Sequence, residues 1–312
     1  MRRIIASHNY SNQMEITMKT KQILLFAALT IFLAAKINAQ SLNGGGTSVS
    51  YQVNIMDYSD CSCEHVPMQV SVSQFGLQYQ HGAGSRIQLT HAFAYKHHDK
   101  GFRGYFDFGD RNEAVLHGHM YSYQISTNYT FNDKWTARGY IKPQARSYFE
   151  EQERSFYTDY EGGLMLQYGT GSGWTFGGGY AYGRNLSEGL VHPVILMEYN
   201  NLKNFTTSIY FPEIAEVWFT PGNRFGFGMV ATLEGDEFEG RGAIYNDEKT
   251  RIQYADFTVG PAMQVHVSSS VSLNLRAAYT AGRHLVIQTD DSREKLNPSP
   301  VWGLRAGIHL SL

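Results

Sequence analysis

The residues best suited to chemistry in this chain fall into three groups. Cys61, Cys63 and His65 stand in the run DCSCEH, with Asp60 and Glu64 beside them. Thiolates and imidazole are soft-metal ligands, so this spacing could hold zinc or copper once a fourth ligand is found. The same thiols in an exported loop could instead be oxidised, to each other or to a partner, although a one-residue spacer strains an intrachain bridge. His117 and His119 could form a metal pair, because strand residues two apart share a face. They fall in phase with Tyr121 and Tyr123, which points them outward near a rim. Asp159 and Glu161 come closest to paired carboxylates, which can run acid/base chemistry when their environments differ; a salt network is the commoner use. No G-x-S-x-G or comparable nucleophile signature occurs. The expectation is a non-enzymatic protein with no catalytic residue, cofactor or metal assigned.

The elements that carry these residues are strands. In YSYQISTNYTF, residues 121–131, apolar and small polar residues alternate strictly, the period-two signature of a strand with one apolar and one polar face. Extended back to Val115, the pattern outruns the usual strand of about 5–6 residues, as it would if a layer about 25–30 Å thick set the length. The alternation recurs at Ile87–Tyr95, Trp174–Tyr182, Phe225–Leu233, Phe257–Val267, Val271–Tyr279 and Trp302–Leu312. Short connections (81–85, 132–134, 169–173, 201–204, 221–223, 268–270) alternate with longer polar ones at 58–67, 97–114, 149–155, 185–192, 235–251 and 282–300. That is the arrangement of an outer-membrane barrel, with short periplasmic turns and long outer loops. The count is 12–14 strands, because 193–220 is compressed. A soluble sandwich is the alternative, with shorter strands packed against a second sheet.

The ends and the composition agree. From Met18, the run MKTKQILLFAALTIFLAAKINAQ has a basic start, an apolar core over 23–35 and small Ala39, so 18–39 reads as a cleaved signal peptide. The core is too short for a membrane helix, which needs about 20 residues. Residues 1–17 read as a misassigned upstream start, leaving 40–312 as one barrel domain. With 21 Tyr, 18 Phe and 31 Gly but 8 Pro and 2 Cys, the composition favours strands and tight turns. A net charge of −2 gives no electrostatic case for nucleic acid.

The expected fold is therefore all-β: a single transmembrane antiparallel up-and-down β-barrel in the outer membrane of a Gram-negative bacterium. Its phases turn Arg138, Lys142, Arg276 and Arg305 into the lumen against Asp159, Glu161, Glu234 and Asp256. Balanced charge cross-links a lumen more readily than it selects one ion sign. The expected function is a porin-like channel or passive transport barrel for small solutes. Two alternatives stand beside it: a structural or assembly barrel that binds surface or secretion components through its loops, and a rim-located hydrolase. Its partners are expected to be outer-membrane lipid and, during biogenesis, the barrel assembly machinery.

Two stretches carry a family resemblance. IYFPEIAEVWFTPGNRFGFGMVATLEGDEF (209–238) has a strand ending in Pro, an aromatic strand, a tight turn and a glycine-spaced strand. VGPAMQVHVSSSVSLNLRAAYTAGRHL (259–285) has the form of a penultimate hairpin. Over about 45–312 the chain resembles the uncharacterised outer-membrane β-barrel proteins of Bacteroidota, a domain of unknown function. The resemblance implies fold and location and transfers no catalytic residue.

Overall fold

A computed structural model describes residues 46–56, 68–108, 111–149, 154–183, 189–200, 204–222, 224–241, 249–288, 293–296 and 300–312. The signal segment and the Cys61, Cys63 and His65 run lie outside these residues. The strands are β1 (Gly46–Met56), β2 (Met68–Gly82), β3 (Ile87–Phe108), β4 (Arg111–Thr130), β5 (Trp135–Phe149), β6 (Arg154–Gly169), β7 (Trp174–Gly183) and β8 (Leu190–Asn200). There follow β9 (Phe205–Phe211), β10 (Ile214–Phe219), β11 (Phe225–Arg241), β12 (Lys249–His266), β13 (Val271–Gln288), β14 (Arg293–Leu296) and β15 (Trp302–Ser311). Each pairs antiparallel with its sequence neighbour, except that β15 bridges β13 and β1, closing the ring. The four-residue β14 only extends β13. The result is a closed barrel of 14 strands, the upper end of the expected count. The compressed stretch 193–220 holds most of β8 and the short hairpin β9–β10. A sandwich of two sheets is excluded by the unbroken ladder.

The outer face follows from the alternation. Tyr121, Tyr123, Ile125, Leu164, Phe176, Tyr180, Phe227, Leu275 and Leu304 are all exposed large apolar residues. Soluble proteins rarely expose so continuous a patch; in lipid it is the required surface, and ring closure leaves no open sheet edge. Aromatic residues gather at both ends of the band. At the short-turn end, Trp135 sits 4.9 Å from Tyr168 and Trp174 sits 4.5 Å from Tyr199, between ring centroids. At the other end Tyr279 meets Trp302 at 5.2 Å. From Tyr129 to Tyr121 the strand climbs about 20 Å once tilted by about 40°, close to the height of such a band.

The short turns have local causes. Asn132 Oδ1 accepts the backbone N–H groups of Lys134 and Trp135 at 2.9 and 3.1 Å, an Asx-type turn. Gly171 and Gly173 hold φ of 77° and 90°, a region open to glycine at little cost. The long connections are a correction. Residues 97–114, 235–251 and 282–300, expected as loops, are largely strand. β3 and β4 pair out to Phe108 and Arg111, β11 and β12 to Arg241 and Lys249, and β13 continues to Gln288. The polar residues that suggested loops still have backbones satisfied by pairing beyond the lipid. β13 crosses that boundary at a register shift between Phe257/Gly282 and Thr258/Thr280. Beyond it Leu285, Val286 and Ile287 are buried in succession, so both faces are covered and the period-two pattern ends.

The face assignment is sharpest at one adjacent pair. Leu275 is 42% exposed, whereas Arg276 is 6% exposed. An arginine on the lipid face near mid-bilayer costs about 2–4 kcal/mol. Leu275→Arg is therefore expected to lose that much stability in denaturant titration of the barrel refolded in lipid vesicles. Arg276→Leu is expected to lose less, and the reverse order would invert the phase of this strand.

Candidate functional site

The interior is polar and mostly paired. All eight residues assigned to the lumen from sequence lie on the inward parity of their strands. Lys142 on β5 and Glu161 on β6 stand directly opposite and bond at 2.7 Å. Arg305 on β15 reaches past β13 and β12 to hold Glu234 on β11 with both terminal nitrogens, at 2.7 and 2.9 Å. This is the bidentate geometry that makes arginine–carboxylate pairs strong. Arg138 is exposed toward the short-turn end. Asp159 and Glu161, the candidate acid/base pair, each face a cation, Arg146 at 3.1 Å and Lys142 at 2.7 Å, as a salt network requires.

Of the eight, Asp256 pairs with a residue outside the set: its cross-strand partner is Arg283, with Nε to Oδ1 at 3.3 Å. Arg276 instead donates to Thr258 Oγ1 at 2.9 Å, Thr258 O at 3.2 Å and Thr232 Oγ1 at 3.4 Å. The register explains it: Arg276 lies opposite Ala262, well below Asp256, while Arg283 stands level with it.

The strongest feature was not anticipated. Arg146 on β5 is fully buried and bonds across the lumen to Asp236 on β11 at 2.5 Å, while its other terminal nitrogen faces Asp159 at 3.1 Å. It also donates to the Glu237 carbonyl at 3.0 Å, which accepts from the Tyr157 hydroxyl as well. His98 Nε2 lies 3.5 Å from the other oxygen of Asp236. The same parity that gives Arg138 and Lys142, carried four residues further, reaches Arg146. Asp236 and His98 were missed because the sequence places them in the connections 235–251 and 97–114.

Inward glycines make room for large side chains. A Cβ at Gly163 would lie 2.6 Å from the Tyr140 ring, and one at Gly228 would lie 2.8 Å from the Trp218 ring. Below the Arg146 bridge remains a cavity of about 360 Å³, lined by Lys96, Lys142, Glu161, Glu213, Glu234 and Arg305 among others. On the outer face His119 sits with its Nδ1 2.7 Å from the Tyr95 hydroxyl, in the outward position expected of it. The side chain of His117 lies outside the described residues.

No family model and no curated protein matches the chain. Solved structures do. The translocator domain of autotransporter NalP from Neisseria meningitidis is 11% identical, with 91% of this chain and 96% of that one covered and a TM-score of 0.40. The P. putida toluene transporter TodX is 9% identical, covering 87% and 90%, with a TM-score of 0.45. An outer-membrane channel from Pseudomonas putida F1 is 12% identical, covering 88% and 97%, with a TM-score of 0.42. The likeness is one of barrel architecture; neither solute nor partner comes with it.

The two kinds of lumen pair differ in what they cost to break. Arg146→Ala removes the cation that Asp159 and Asp236 share, both almost fully buried, and removing one partner of such a pair costs about 3–5 kcal/mol. Arg305→Ala strands Glu234, whose side chain is 46% exposed, and should cost about 1 kcal/mol or less. Denaturant titration of the two refolded variants checks the order; equal losses would mean the bridge is not the dominant cross-link.

Proposed function

We propose that this chain is an outer-membrane barrel that passes or carries small solutes passively and without catalysis. On this reading it is exported through the signal segment 18–39 and inserted by the barrel assembly machinery. The observation that supports the reading best is a cavity of about 360 Å³ inside the barrel, lined by charged residues of both signs. A volume of that order suits a small molecule. Its charges are of both signs and largely paired, so strong preference for one ion sign is not expected. A second reading, a structural or assembly barrel working through its loops, is favoured by the Arg146 bridge across the lumen.

Conductance separates the two. Refolded protein in a planar bilayer should give small, stable steps with weak ion preference. Lys142→Glu should move the reversal potential toward cations, because Lys142 lines the cavity beside Glu161. Silence at every voltage in both proteins would favour the structural reading.

A further inference from the structure

The wall of this barrel is not of one height. β9 and β10 have seven and six residues, against 17 in β11. At about 3.3 Å per residue and a tilt of about 40°, the β9–β10 hairpin rises only about 17 Å, short of the apolar band of about 25 Å. Its pairing ends at Ile195↔Phe211 on β8 and Ile214↔Thr232 on β11. Above that level no described strand pairs with the facing edges of β8 and β11. Among the described residues two strands are missing there, a step about 14 Å wide at ordinary strand spacing.

Both edges of the step are finished in part. Along β8, Asn200 points its N–H toward β7, so odd-numbered residues point toward β9. The first odd position above the last pair is Pro193, which has no N–H to leave unpaired. Along β11, Leu233 donates to the Glu213 carbonyl, so odd positions face the step there. The Glu237 carbonyl above it is taken by Arg146 and Tyr157. Those bonds bring β5 and β6 over the top of the step to β11, as an arch. An open edge inside lipid is costly; here the Pro193 N–H is absent and the Glu237 carbonyl occupied, while the Val191 and Gly235 backbones also turn toward the step.

The cavity reaches this step. Its lining includes Tyr182 and His192 on one side, Glu213 and Ile214 at the hairpin tip, and Glu234 and Asp236 on the other. Just outside, Val191 is 67% exposed and Phe211 56% exposed. We propose that the gap beneath the Arg146 arch is a lateral portal, joining the polar cavity to the lipid around the barrel. It would take a single-chain amphiphile, head in the cavity and chain out between β8 and β11. The inference rests on the reading of the chain as a lipid-embedded transport barrel, and it gives that barrel a sideways route.

The test uses single cysteines carrying a small fluorophore in the refolded chain, with Cys61 and Cys63 changed to serine. The sites are Glu213→Cys at the tip, Gln74→Cys on the far wall of the cavity and Phe211→Cys on the lipid face. Nitroxide-labelled phosphatidylcholine in the vesicles should quench the probe at 213 within about twofold of the one at 211, and that at 74 at least fivefold less. Two single-chain amphiphiles, a doxyl fatty acid and a cationic chain with its nitroxide at the ammonium head, supply the second arm. At least one should quench the probe at 74. If 211 is quenched but 213 behaves like 74, the portal is overturned while the membrane barrel stands. If 211 is not quenched, the barrel reading itself fails. If neither amphiphile reaches 74, the ligand class is overturned. Should Glu213→Cys not refold, Ile214→Cys takes its place under the same criteria.

Discussion

The bond between Arg146 and Asp236 sets the shape of the upper half of this molecule. Fourteen strands spaced about 4.8 Å apart and tilted about 40° would close as a round barrel about 28 Å across. β5 and β11 are six strands apart in the ring, yet they contain Cα atoms within 8 Å of each other. Arg146 bonds both Asp159 on its own wall and Asp236 on the opposite one, so it bridges two carboxylates that would otherwise repel each other in a dry interior. Geometry of this kind repays the desolvation of buried charge only when each ion is well paired and hydrogen-bonded.

Lipid imposes the second constraint, and it explains why the pinch is built from side chains. Strand pairing must be complete wherever the wall faces hydrocarbon, so the outer face alternates strictly from Tyr129 up to Tyr121 and from Leu273 to Tyr279. Above that zone β13 buries Leu285, Val286 and Ile287 in a row. Within it, the only described departure from full height is the β9–β10 hairpin, where Pro193 and the occupied Glu237 carbonyl lie on the exposed edges.

What could be read in advance divides along the same line. The parity that sends Leu275 out and Arg276 in is local, and it gave the fold and the two faces of its strands. Neighbour pairing across a hairpin is nearly as local: Lys142 stands opposite Glu161 in the ladder of consecutive strands β5 and β6. Which cation meets Asp256 was not legible, because a hairpin fixes register residue by residue and Arg283, not Arg276, stands at its height. Arg146 and Asp236 are separated by 90 positions, and no ladder bond connects their strands directly. Their meeting depends on how far the closed ring flattens, which no single strand encodes. The long connections misled for a related reason: polar sequence marks departure from lipid and says nothing about whether pairing stops.

The central claim is that the barrel is pinched at its upper end by this cross-lumen bond. Pulsed electron paramagnetic resonance in lipid measures it directly, using spin labels on β5 and β11 at two heights. The upper pair is Ala145→Cys with Gly235→Cys; the lower is Ala137→Cys with Phe227→Cys. The upper distance should be shorter than the lower by on the order of 20 Å, the difference between a pinched and a round section. Equal distances at the two heights would contradict the account.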